Sequence, residues 1–206
     1  MLKVWGRTSS VNVQKVMWAV DELGLAHERI DAGGAFGGLD TDAYQVMNPN
    51  RKIPLIDDGG VLVWESNAIV RYLAARYGAG SLWPENPALR ARADQWMDWQ
   101  LSTLNADMLA LFLQLVRTPE AERDPAVISA AGEGAARSWT LLDAHLASHP
   151  FVAGDAFTMG DIPLGALCHR WLNLPCARPA LGHLEGWSRR LQGRDAYRSH
   201  VMLPLT

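Results

Sequence analysis

Apolar positions along this chain repeat at two different periods, and the change divides it into two parts. Near the start, Leu2-Lys3-Val4-Trp5 is a short apolar run of strand length. Residues 11–23 then carry Val13, Val16, Met17, Val20 and Leu23 at helical spacing, and Gly24 follows as a stop. Residues 27–31, His-Glu-Arg-Ile-Asp, read as a second strand. The glycine-rich stretch behind them, 32–40, reads as a loop of the mobile kind that borders binding sites. Residues 53–57 and 61–64 are two more strands flanking Asp58-Gly59-Gly60, where the glycine pair supplies the positive φ angles of a tight antiparallel hairpin. From Ser66 to Tyr77 the apolar Ile69, Val70, Tyr72 and Leu73 mix with Arg71 and Arg76 as on an amphipathic helix, ended by Gly78. The order predicts a small α/β layer, βαβ then ββα, around a four-stranded sheet of mixed direction.

Past residue 88 the strand signal disappears. Residues 78–87 hold Gly, Ser and Pro and read as a linker. Windows 88–116, 125–148, 159–174 and 179–193 are helical in period, with Pro and Gly at their ends. The expectation is an α/β domain over residues 1–80 and an all-helical domain over 88–206, with no internal repeat. Trp96 and Trp99, at helical spacing, are packing residues or part of a subunit contact.

Composition narrows the function classes. A chain of 206 residues with 49% hydrophobic positions can bury a substantial core. The formal net charge of -3, with Lys and Arg scattered, lacks the basic footprint of a nucleic-acid binder. The opening Met-Leu-Lys-Val-Trp-Gly-Arg-Thr-Ser-Ser turns polar too early for a signal peptide, and no apolar run is long enough to span a bilayer, so a cytoplasmic protein without membrane association is expected. Cys168 and Cys176 have neither redox-loop nor zinc-ligand spacing; reduced thiols and no metal are expected.

Three segments carry candidate chemistry. The first is Trp5-Gly6-Arg7-Thr8-Ser9-Ser10-Val11-Asn12-Val13-Gln14-Lys15-Val16, a strand end, a polar loop and a helix start. The second is Ile53-Pro54, with Trp64-Glu65-Ser66 at the following strand-to-helix junction. The third is Val152-Ala153-Gly154-Asp155 leading into Thr158-Met159-Gly160-Asp161. A proline within an apolar strand removes a ladder donor and belongs at an edge. A helix N-terminus such as that at Ser66 offers free N–H groups and partial positive charge to an anion, although Ser66 also suits a plain helix cap. In this order and spacing the segments resemble the glutathione transferase superfamily, over positions from Trp5 to about Leu191.

The resemblance implies a thioredoxin-like N-terminal domain, an all-helical C-terminal domain, glutathione as co-substrate and a homodimer. It implies a cis bond before Pro54 and places the backbone of Ile53 against the cysteinyl part of glutathione. Lys52 lies beside it for the glycine carboxylate. Ser66 takes the γ-glutamyl carboxylate and Glu65 the neighbouring ammonium. Catalysis in that superfamily lowers the thiol pKa of glutathione. From about 8.5, a fall of two units needs about 2.7 kcal/mol of preferential thiolate stabilisation, which one or two hydrogen bonds to the anion supply. The first loop has no Tyr and no Cys, so it is similar to the serine-type, theta-like branches. Ser10 is the first candidate thiolate donor, Asn12 the second and Ser9 the third, each also a candidate cap of the helix behind it.

Thr158 and Asp161 resemble the superfamily's structural capping box, with Thr158 taking the Asp161 N–H and Asp161 reaching back. A hydrophobic electrophile is expected where Arg7, Phe36, Met108, Leu111, Phe112 and Trp171 could converge. The expected reaction is transfer of an alkyl or aryl group to glutathione. Other glutathione-dependent enzymes of the same fold (maleylacetoacetate isomerase, dehalogenase, β-etherase) stay open, as does a non-catalytic binding module.

Overall fold

The computed structural model describes residues 1–206. Strand β1 (Leu2–Trp5) is followed by α1 (Val11–Glu22), β2 (His27–Ile30), a short helix α2 (Asp42–Met47), β3 (Leu55–Asp58), β4 (Val61–Trp64) and α3 (Ser66–Tyr77). The sheet order is β2-β1-β3-β4, with β1 parallel to β2 and antiparallel to β3, and β3 antiparallel to β4. This is the mixed four-stranded sheet the pattern predicts. Asp58 pairs with Val61, so the turn is the two residues Gly59 and Gly60, at φ 63° and 96°. Such angles match the right-handed twist of the flanking strands and are cheap only for glycine.

Two features differ from expectation here. Strand β3 begins at Leu55, leaving Ile53 and Pro54 in front of it with a cis bond between them. Helix α2 falls in a stretch with no predicted element. Thr41 caps it, accepting the Tyr44 N–H at 3.2 Å, and Asp42 lies in its first turn. Its six residues are too few to show a helical period.

The remainder is helical: α4 (Pro87–Trp99), α5 (Asn105–Phe112), α6 (Pro125–Leu146), α7 (Asp161–Asn173), α8 (Gly182–Gln192) and α9 (Asp195–His200). The expected window 88–116 is one rod with π-helical turns at Gln100–Leu104 and Leu113–Arg117. Asn86 caps it by accepting the Ala88 and Leu89 N–H groups, and Pro87 stands where a helix has no use for an N–H. Helix α9 was not expected from the sequence pattern, again because it is short. The segment 78–87 is fastened down: Leu82 is buried, and its carbonyl accepts the Met159 N–H at 3.0 Å.

One apolar cluster of 43 buried residues runs from β1 through α1 and α3 into α4–α9. Trp18 of α1 shows how closely the helical part grips the sheet layer. Its ring meets Tyr197 edge-on at 4.8 Å and Phe157 at 5.4 Å, and a Cβ on Gly165 of α7 would come within 2.8 Å of it. Arg194 adds a bidentate pair with Glu22 at 2.7 and 2.6 Å. Helix α1, whose N-terminus carries the candidate catalytic loop, is therefore held on both sides.

Candidate active site

The loop after β1 is shaped by its packing on α1. A Cβ at Gly6 would meet Val13 Cγ2 at 2.3 Å, so only glycine lets the chain turn this closely. Gln14 Nε2 donates to the Thr8 carbonyl at 3.0 Å and clamps the loop from the helix side. Ser10 is the N-cap of α1, but its hydroxyl makes no capping bond. It is free to donate elsewhere. No acidic residue lies in the first turn of α1, so the positive end of that helix is uncompensated.

Helix α2, which was not foreseen, sets the position of the Ile53-Pro54 pair. Tyr44 Oη and Asn48 Nδ2 each donate to the Lys52 carbonyl at 2.8 Å, and Arg51 turns the chain at φ 52°. Lys52 extends its side chain into solvent, Pro54 is buried and Ile53 is half-buried. Neither main-chain group of Ile53 is hydrogen-bonded within the chain. A half-buried residue with an open N–H and C=O is poised to pair with an extended ligand backbone.

At the head of α3, Glu65 adopts φ 70°, a left-handed conformation that few residues other than glycine tolerate. Local strain of this kind gathers at ligand clamps. Glu65 is exposed and Ser66 is only 4% exposed. Ser66 Oγ donates to Asn12 Oδ1 at 3.2 Å, tying the head of α3 to the first loop.

Behind Ser66 lies a residue that sequence reasoning missed. Lys15 is fully buried, with Nζ 3.5 Å from Ser66 Oγ, 3.3 Å from Asn67 Oδ1 and 3.2 Å from Gln100 Oε1. Gln100 comes from the first π-helical turn, so this ammonium bridges both parts of the chain. Burial pushes Lys15 down to about 7; Arg170 lowers it further and Glu65 opposes. Its signal was present, since Lys15 is the only charged residue between Val11 and Val20 on a helix with a mostly buried surface.

A cavity of about 350 Å³ opens beside the loop, lined by Arg7, Ser9, Ser10, Val11 and Asn12 from one side and Leu109, Phe112, Leu113, Arg117 and Arg170 from the other. The expected electrophile residues divide three ways. Arg7 and Phe112 meet at this cavity. Met108, Leu111 and Trp171 are instead core: each is at most 1% exposed, Trp171 stacks on Trp139 at 6.3 Å, and Met108 Sδ accepts the Trp139 indole N–H. Phe36 stands on the surface, 58% exposed, and does not line the cavity. Helical period alone cannot separate a core stripe from a cavity wall one residue further round. Arg117 and Arg170 went unforeseen because they lie far apart in sequence, at the end of the α5 rod and near the end of α7. A larger cleft of about 570 Å³ on α6 shares no residue with the three candidate segments.

Thr158 and Asp161 form a tighter knot than a simple capping box. Asp161 Oδ2 accepts the Thr158 N–H at 2.9 Å, and Oδ1 accepts the Val152 N–H and the Trp187 indole N–H, each at 3.0 Å. The Thr158 hydroxyl takes the Gly160 N–H at 3.3 Å and not that of Asp161, which bonds the Thr158 carbonyl. Burial pushes the Asp161 carboxyl up to about 6 against the pull of these donors.

The chain as a whole is similar to known proteins. The family model described as "Glutathione S-transferase, N-terminal domain" matches residues 1–75. Over 209 aligned residues the chain is 42% identical to glutathione S-transferase GstB of Escherichia coli K12, covering 100% of both. Among solved structures, the theta class glutathione S-transferase of Xanthomonas axonopodis pv. citri with glutathione bound superposes at a TM-score of 0.96, with 49% identity over 100% of this chain and 99% of that one. The apo form of that protein superposes at 0.88, covering 100% of this chain and 98% of its own, at 43% identity. With its loop, Ile53-Pro54 corner and α3 head arranged as described, the chain belongs to the glutathione S-transferase family.

Proposed function

We propose that this protein binds glutathione between the first loop, Ile53 and the head of α3, ionises its thiol and conjugates the sulfur to a small hydrophobic electrophile held in the cavity beside Ser9 and Ser10. The observation that carries this reading is the Ser66 to Asn12 hydrogen bond. It joins the anion-binding end of α3 to the loop lining the cavity. The bound structure of the Xanthomonas relative supports glutathione as the co-substrate.

In this reading Ser66 and the free N–H groups at the start of α3 hold the γ-glutamyl carboxylate, and Glu65 pairs with its ammonium. Ile53 hydrogen-bonds the cysteinyl backbone, with Pro54 fixing the corner, and Lys52 reaches the glycine carboxylate. Ser10 donates to the sulfur, with Asn12 and Ser9 as further donors. The thiol proton leaves to solvent. The thiolate then forms a carbon–sulfur bond at the electrophile while the carbon–leaving group bond breaks with its electron pair. Residues 1–80 serve as the glutathione-binding domain and 88–206 as the helical domain that completes the electrophile site, with 78–87 joining them. A detoxifying role, a cytoplasmic location and a homodimer complete the reading; no helix is long and apolar enough to cross a membrane.

Calorimetric titration with glutathione tests the binding half. The intact protein gives a saturable isotherm, and Ser66→Ala weakens it about tenfold or more, the effect of losing one hydrogen bond to a charged group. A flat isotherm for the unaltered protein overturns the proposal.

A further inference from the structure

The cavity beside the catalytic loop carries three guanidinium groups, from Arg7, Arg117 and Arg170, and no acidic side chain. Elsewhere in the molecule arginines find carboxylates: Arg71 pairs with Asp94 at 2.6 Å and Arg194 with Glu22 at 2.6 Å. None of the three cavity arginines forms an ion pair with Asp or Glu. Arg170 is 7% exposed, its guanidinium 3.8 Å from the Phe112 ring centre, and Nη2 donates to the Ser9 carbonyl at 3.2 Å. Arg117 stands 5.6 Å from the same ring and also donates to the Thr206 backbone oxygen. Arg7 runs along the Gly33-Gly34 turn, where a Cβ on either glycine would come within 3.2 Å of its side chain. The groups feel one another: burial first, then Arg117 and Arg7, lower Arg170 to about 10, so it stays charged at neutral pH.

Gathering three cations with no Asp or Glu side chain among them is costly unless an anion arrives to share them, even with Arg117 donating to the Thr206 main-chain oxygen at 2.5 Å. We propose that the electrophile is itself an anion, a small molecule whose carboxylate is held by Arg7, Arg117 and Arg170 while its apolar body lies against Phe112, Leu109 and Leu113. This inference rests on the glutathione reading above and narrows the substrate class within it. The planar fork of guanidinium N–H donors matches a carboxylate in shape as well as charge. Under the same reading the carboxylates of glutathione are already provided for at Ser66 and Lys52. The trio is thus left for the second substrate.

A matched pair of substrates isolates the charge. With 4-chloro-3,5-dinitrobenzoate or its neutral methyl ester, the glutathione sulfur bonds to the ring carbon bearing chlorine and chloride leaves with the bonding pair. Each kcat/KM is divided by the uncatalysed rate of the same compound. The carboxylate is expected to be favoured by about tenfold or more, the effect of one charge-assisted hydrogen bond. In Arg117→Gln, an exposed position, that preference falls by about tenfold because the carboxylate loses far more rate than the ester, while the calorimetric affinity for glutathione holds. Arg7→Gln gives the same pattern as a second variant. Equal or better use of the ester by the unaltered protein overturns the inference, as does a parallel fall of both substrates or weakened glutathione binding in both arginine variants. If the unaltered protein binds no glutathione, the underlying reading fails and this inference fails with it. If glutathione binds but the carboxylate is not preferred, only the inference about charge fails.

Discussion

At the scale of single residues, the site depends on groups that the fold holds in unusual states. Lys15 is the clearest case, an ammonium without a carboxylate partner, solvated only by Ser66, Asn67 and Gln100. Its ordinary pKa of 10.5 is lowered to about 7 by burial first and Arg170 second. Between those values the unfolded chain binds a proton that the folded chain releases, so this group's contribution to stability rises with pH. It is complete above about 10.5 and lost as pH falls through about 7. Urea unfolding of the intact protein and Lys15→Met across pH 6 to 10 checks this: the stability gap between the two shifts in favour of the intact protein as pH rises. A gap that does not change with pH removes the assignment. Gly6 makes the complementary steric case, since Gly6→Ala brings a Cβ to 2.3 Å from Val13. The expected loss is about 1–3 kcal/mol of unfolding free energy, measured by the same denaturation.

The elements show which parts of the molecule are legible without coordinates. Strands β1 and β2, the Gly59-Gly60 hairpin and helices α1, α3 and α6 each announce themselves by period, stop residue or turn chemistry, because burial on one face imposes a repeat. Helices α2 and α9, six residues each, are too short for a period to emerge. The junction at Glu65 and Ser66 is legible because a helix head restricts residue type locally, whereas Ile53 is expected within the strand it precedes and its role comes from the family resemblance. Beyond Arg7 and Phe112 the cavity wall is not legible, because Arg117 and Arg170 are brought together only by the packing of the helices and leave no local signature. The knot at the start of α7 belongs to this scale too. Asp161, raised from 3.8 to about 6 by burial, favours the folded state most when protonated. Its contribution is present below about 3.8 and lost as pH rises through about 6, so Asp161→Asn removes that slope. At pH 7 the same variant loses about 1–3 kcal/mol, because an amide cannot accept from all three N–H donors as the carboxylate does. Retained stability at neutral pH contradicts this.

At the scale of the whole molecule, a single core fixes the cleft between sheet layer and helices, while the outer edge of the sheet remains open. Strand β4 is an edge strand, and Val61, Leu62 and Trp64 are each 38–42% exposed on it. Exposed apolar edges of this kind call for a partner, and we propose this edge as part of the contact in a homodimer. Light scattering after gel filtration is expected to give twice the chain mass, and Leu62→Glu to shift it toward one; a monomeric unaltered protein overturns the dimer. Activation of the glutathione thiol is read from the ultraviolet absorbance of the bound thiolate followed against pH. Bound glutathione is expected to ionise about two units below the free thiol, and Ser10→Ala to raise that midpoint by about one unit or more without weakening binding. A bound thiol that titrates where the free one does would contradict it.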